Sequence, residues 1–77
     1  MKKHFKEIEI GNIVSDIELG GKQEATIFKA VRKEDDTIYF KSVTDEDRNP
    51  YGRNPNGEYP FDMNGPGYFW LIAENRD

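Results

Sequence analysis

The chain has 77 residues, 35% of them hydrophobic and 34% charged, with 11 Lys+Arg against 15 Asp+Glu and a net charge of −4. That is the length of one small domain, and the acidic balance argues against a strongly basic nucleic-acid binder. Cysteine is absent, which excludes disulfides and thiolate metal sites, and the longest apolar run, Tyr68 to Ala73, falls far short of the ~20 residues of a membrane-spanning helix.

The start, Met1-Lys2-Lys3-His4-Phe5-Lys6, is basic, but no apolar segment follows, so it reads as no secretory signal and the expected location is cytoplasmic. Glu7-Ile8-Glu9-Ile10 has a period of two and predicts a strand. Gly11-Asn12 interrupts it. Ile13, Ser15, Ile17 and Leu19 then alternate with Val14, Asp16 and Glu18, which predicts a second strand or a bent continuation of the first. Gly20-Gly21 can supply the positive φ of a hairpin turn. Residues 24–33 fit two patterns: Ile27, Phe28 and Val31 share a helix face, whereas Thr26, Phe28 and Ala30 alternate as on a strand. Turn chemistry on both sides favours the strand; the alternative is an α+β domain with a helix at 24–33. Glu34-Asp35-Asp36 is a polar turn. Residues 37–44 are rich in β-branched and aromatic types and predict a strand.

The texture changes at Asp45. From there to Gly67 the chain holds all four prolines and four of the seven glycines. A near-duplicate pentapeptide, Arg48-Asn-Pro-Tyr-Gly52 then Arg53-Asn-Pro-Asn-Gly57, reads as two tandem turns. Within this long irregular loop, Tyr59, Phe61 and Met63 alternate, predicting a short edge strand at 58–63 that tolerates Pro60. Asn64 to Gly67 is a loop. Tyr68 to Glu74 is apolar on both faces, which predicts a central or covered strand, and Asn75 to Asp77 should fray. The expected fold is mainly β: a small antiparallel, partly open barrel or rolled sheet of five to six short strands.

The stretch Ile8-Glu-Ile-Gly-Asn-Ile-Val14, followed by a glycine turn, Ile27, an acidic turn and Ile38-Tyr-Phe40, resembles the opening of SH3-like small barrels, where G-x-x-V precedes strand, turn, strand. The resemblance covers residues 8–40 and implies a binding module and nothing finer.

No catalytic constellation stands out. Asp45-x-Asp47-x-Asn49 has the spacing of a calcium loop, but Pro50 and Asn56 replace the glycine and glutamate that such a loop needs at its sixth and twelfth positions. His4 is the single histidine, so no multi-histidine metal site can form, and no nucleophile-elbow glycines surround Ser15 or Ser42. Gly65-Pro-Gly67 lacks the Lys-Ser/Thr of a phosphate-cradling loop. The reading is a non-enzymatic protein without cofactor or metal.

Charge is segregated. Residues 22–33 carry Lys22, Lys29, Arg32 and Lys33 against Glu24; residues 34–47 carry Glu34, Asp35, Asp36, Asp45, Glu46 and Asp47 against Lys41. Acidic turns of this kind solubilise, or they steer a partner with a basic surface. Structureless stretches longer than about 12–15 residues are uncommon in compact domains unless functional, and arginines interleaved with aromatics are enriched where interfaces are strongest. The candidate contact residues are therefore Asp45, Glu46, Asp47, Arg48, Tyr51, Arg53, Tyr59 and Phe61, with Tyr59 and Phe61 alternatively closing the sheet.

The expected function is protein–protein contact. A domain of this size without visible catalytic parts suits an adaptor or inhibitor, on the scale of small phage or mobile-element proteins that block host enzymes. A nucleic-acid-binding barrel is the alternative, with Tyr39, Phe28 or Tyr68 stacking bases and Lys29, Arg32 and Lys33 meeting phosphates. A third reading is a small nucleotide-ligand binder at an oligomer interface. Because so short a chain buries only about 60% of its unfolded surface, self-association or support from a partner is expected.

Overall fold

The structure is a computed structural model that describes residues 1–20, 25–43 and 51–74. It is mainly β. Six antiparallel strands form one open sheet: β1 (Lys2–His4), β2 (Ile13–Ser15), β3 (Ile27–Glu34), β4 (Thr37–Ser42), β5 (Tyr59–Asp62) and β6 (Tyr68–Ala73). The spatial order is β1-β6-β2-β3-β4-β5, so β2 to β5 run as a meander and β6 returns to the far side of β2.

The sheet is rolled. β5 and β6 stand four places apart in this order, which in a flat sheet means about 19 Å. Yet the rings of Phe61 on β5 and Phe69 on β6 have centroids 5.2 Å apart. Rolling is what lets so short a chain enclose a core. The inward positions of the strands supply Val14, Phe28, Ala30, Ile38, Phe40, Tyr59 and Phe69, and Phe5 and Ile8 fill the open end.

Local chemistry explains most boundaries. Glu34 pairs with Thr37 across a two-residue turn in which Asp35 takes φ 55°. This is a left-handed position that aspartate accepts more readily than most residues. β4 alternates buried Ile38 and Phe40 with outward Tyr39 and Lys41, the pattern of a strand with one buried face. The helix alternative at 24–33 is excluded: Ile27–Glu34 is an eight-residue strand that buries Phe28 and Ala30.

Two strand expectations need correction. Residues 7–10 form no strand. Phe5–Glu7 is a turn of 3-10 helix, closed by the His4 N–H donating to Glu7 Oε1 at 3.0 Å. A tight turn follows over Glu9–Asn12, with the Asn12 N–H donating to the Glu9 carbonyl and Gly11 at φ 94°. That positive φ in the third position is what a type II turn requires of glycine. The two isoleucines therefore meet opposite fates, Ile8 fully buried and Ile10 49% exposed. The second strand ends at Ser15 instead of reaching Leu19. The Ser15 hydroxyl donates to the Ile17 carbonyl (2.6 Å) and accepts from the Ile17 N–H (3.2 Å), a local side-chain turn that competes with the ladder.

The first residues pair instead of trailing. Lys2, Lys3 and His4 lie opposite Trp70, Phe69 and Tyr68. β6 thus has neighbours on both sides, and β1 and β5 are the edges. Both edges suit exposure: β1 is three residues long and carries two lysines, and β5 contains Pro60.

Candidate functional site

The sixteen residues between β4 and β5, 43–58, exceed what closing a hairpin needs, about two to five. The candidates Asp45, Glu46, Asp47 and Arg48 lie outside the described residues, as does the calcium-like spacing at 45–49. From Tyr51 onward the segment is built onto the sheet at both ends.

Tyr51 forms the first anchor. Its ring packs against Phe28 and Phe61, at 5.7 and 5.5 Å between centroids. Its hydroxyl donates to Asp16 Oδ2 at 3.2 Å, while Asp16 Oδ1 accepts the Thr26 N–H at 2.9 Å. One carboxylate thus ties the residues after β2, the entry to β3 and the long segment together. Burial raises the Tyr51 phenol above its ordinary value, and the neighbouring Asp16 charge and hydrogen bond add to the rise.

The second anchor is an Asn-Pro-Asn-Gly turn. The Gly57 N–H donates to the Asn54 carbonyl at 3.0 Å, with Pro55 second and Gly57 fourth at φ 79°; asparagine, proline and glycine in these places are the type I signature. Asn54 Oδ1 accepts the N–H groups of Asn56 (3.0 Å) and Glu58 (2.8 Å), and Asn54 Nδ2 donates to Glu58 Oε1 at 3.3 Å. Glu58, only 8% exposed, also accepts from Arg32 Nη2 at 2.9 Å.

Arg32 reaches Glu58 because of a bulge. The β3–β4 register shifts between Ala30 and Arg32, which sets Arg32 opposite Tyr39 on the outer face. Its guanidinium lies 3.8 Å from the Tyr39 ring centroid and also pairs with Glu34 at 3.1 Å. The two carboxylates raise the Arg32 pKa, the Glu58 hydrogen bond most of all.

The same bonds hold the Glu58 carboxyl below its ordinary value, Arg32 first and Asn54 second. A carboxylate whose folded pKa is depressed adds stability above the unfolded value of 4.5 and loses it as pH falls through the folded value. Melting curves of the wild type and Glu58→Gln, taken from neutral pH down to about pH 3, should differ at neutral pH in favour of the wild type and converge in acid. A difference that persists undiminished in acid would show that the charge of Glu58 is irrelevant.

The sequence candidates therefore separate. Tyr59 is 2% exposed and is a core residue, which removes it from any contact surface. Phe61 is half-buried and packs on Phe5, Phe28, Phe40, Tyr51 and Phe69. Both close the sheet. Tyr51 is half-buried and serves as an anchor. Arg53 is exposed at the rim of the turn beside exposed Gly52, Pro55 and Asn56. The acidic residues Glu34, Asp35 and Asp36 lie at the turn between β3 and β4, and all three are exposed.

The nucleic-acid candidates fall in different surroundings. Phe28 is fully buried, Arg32 is committed to Glu58 and Glu34, and Tyr39 lies beneath Arg32. Among the described residues no three of His, Asp or Glu stand close enough to hold a metal ion, and no helix is long and apolar enough to cross a membrane. Residues missed in the sequence are Asn54, Glu58 and Asp16, the brackets of the segment. The signal for Asn54 was present in the second pentapeptide; Asp16 and Glu58 act at sequence separations of 35 and 26 residues, which no local pattern reveals.

Comparison with known proteins finds no matching family model, no matching curated protein and no matching solved structure.

Proposed function

We propose that this protein is a non-enzymatic binding module that docks on another protein through the turn at 52–57. The observation that carries the proposal is a connection much longer than closure requires, braced by Tyr51–Asp16 on one side and Asn54–Glu58–Arg32 on the other, with Arg53, Pro55 and Asn56 exposed between the braces. A loop fixed before binding loses less conformational freedom on docking, so more of its contact energy appears as affinity. The acidic residues Asp45, Glu46 and Asp47 just upstream would steer a partner with a basic surface. The SH3-like reading of the scaffold belongs to the same proposal. It draws support from the strand, turn, strand succession of β2, β3 and β4 after Gly11. An inhibitor and an adaptor would both act in this way.

The test is affinity capture from the native host with the wild type and Arg53→Glu/Asn56→Ala as parallel baits. The wild type should retain a partner that the variant loses, and capture should weaken with salt. Far-ultraviolet circular dichroism of both baits should show the same sheet, which separates lost docking from lost fold; both substituted side chains are exposed. Equal capture by both baits would remove the turn as the docking site.

A further inference from the structure

Strand β6 is apolar on both faces, and the sheet covers only one of them. Phe69 and Leu71 turn inward, and Tyr68, Trp70 and Ile72 alternate onto the outer face. There Tyr68 is 36% and Ile72 41% exposed, although β6 lies inside the sheet between β1 and β2. Met1 and Leu19, both exposed, stand beside them; together with Glu18, Trp70, Leu71 and Ile72 they line one open depression. Exposed apolar side chains gathered in one place and rimmed by charges make this face a candidate interaction surface.

The charges around the patch identify its occupant. β1 brings Lys2 opposite Trp70 on one flank, with its ammonium 4.6 Å from the Tyr68 ring centroid and 6.0 Å from that of Trp70. On the other flank Ser15 of β2 pairs with Trp70, and Glu18 follows at the rim of the depression. Among the described residues neither Lys2 nor Glu18 takes part in an ion pair. The patch thus has an apolar centre with a cation on one side and an anion on the other.

We infer that this face binds a second copy of the same chain. In a two-fold interface each residue meets the partner of its own partner, so the patch must be complementary to itself. Rotating one copy about an axis near Trp70 brings Lys2 of each copy to Glu18 of the other, twice, with Tyr68, Trp70, Ile72 and Leu19 shielded between them. A partner of a single charge sign would leave Lys2 or Glu18 facing a like charge. The contact is face to face, because the short lysine-bearing β1 edge is a poor template for strand addition. The inference uses no residue of the 52–57 turn and stands apart from the proposed docking there.

Sedimentation velocity of the full chain, from low micromolar to high micromolar concentration, tests it. The wild type should pass from monomer to dimer. Ile72→Glu and Leu19→Glu should each weaken the dimer about tenfold or more while far-ultraviolet circular dichroism and melting temperature stay near wild type, since both side chains are exposed. Lys2→Glu and Glu18→Lys should each weaken it, and the two combined should restore it toward wild type. A wild type that stays monomeric at every concentration would overturn the inference, even if the face captured a different protein or a single-stranded oligonucleotide. So would a dimer that survives Ile72→Glu, or a double charge exchange that fails to recover what the single exchanges lose.

Discussion

Phe28→Ala should remove about a quarter or more of the stability of the fold at 25 °C. Phe28 is fully buried, and its ring meets five others: Phe40 at 5.7 Å, Tyr51 at 5.7 Å, Tyr59 at 5.4 Å, Phe61 at 6.2 Å and Phe69, stacked at 5.4 Å and 15°. These rings come from β4, β5, β6 and the long segment, so removing Phe28 empties the place where the rolled sheet closes on itself. Truncating a buried phenylalanine to alanine costs about 3–5 kcal/mol, through lost transfer energy and the cavity left behind. A domain of 77 residues has about 4–12 kcal/mol of stability in total, at roughly 0.05–0.15 kcal/mol per residue. Urea titration followed by tryptophan fluorescence should show a midpoint far below that of the wild type. Phe28→Leu, which keeps most of the volume, should keep the transition and lower its midpoint. A Phe28→Ala variant as stable as the wild type would show that the rings are not the centre of the core.

Gly67→Ala should be the next most damaging change, and for the opposite reason. A Cβ at this position would stand 2.5 Å from Phe5 Cε2 and 2.9 Å from Cζ, inside the distance that real carbon contacts reach. Phe5 cannot retreat, because its ring is hemmed in by Phe69 at 4.9 Å, Phe61 at 5.1 Å and Phe40 at 6.4 Å. Overpacking of this kind costs about 1–3 kcal/mol, and in a domain of this size each kcal/mol lowers the melting temperature by about 4–8 °C. Gly52→Ala is the control, with nothing within 4 Å of the added carbon, and it should melt with the wild type. Adding Phe5→Leu to Gly67→Ala should cost less than the sum of the two single changes, since one gives the space the other needs. A Gly67→Ala melting temperature equal to the wild type would contradict the packing of Phe5 described above.

The strands that sequence patterning identifies are those whose alternation meets one buried face and one open one. β4 is the clearest, with Ile38 and Phe40 turned inward and Tyr39 and Lys41 outward. The same rule fails at Glu7-Ile8-Glu9-Ile10, because a period of two is also produced by a 3-10 turn followed by a glycine-dependent turn, and Gly11 decides between them. β1 is invisible in the sequence: Lys2-Lys3-His4 has no strand propensity of its own and is extended because β6 has an unpaired side to fill. β2 stops early because the Ser15 side chain satisfies the backbone of Ile17 locally.

The long segment before β5 is half legible. Proline and asparagine at 54–57 announce the turn, and the turn is there. The aromatics around it mislead, since Tyr59 and Phe61 have the composition of an interface and the burial of a core; in a chain this short, large rings are needed inside first. Arg32 could not be placed from spacing, because a single extra residue in β3 turns its side chain to the other face. The apolar outer face of β6 was readable as a central or covered strand, and what the structure adds is that β6 is central yet leaves Tyr68 and Ile72 exposed among the described residues.

The direct test of docking by the 52–57 turn is site-specific photo-crosslinking in the native host. A photoreactive residue placed at exposed Asn56 should yield a discrete, salt-sensitive adduct with another protein, and the same residue placed at exposed Asp35 in the β3–β4 turn should yield none. Equal adducts from both positions, or none from Asn56 while other surface positions give one, would contradict the account.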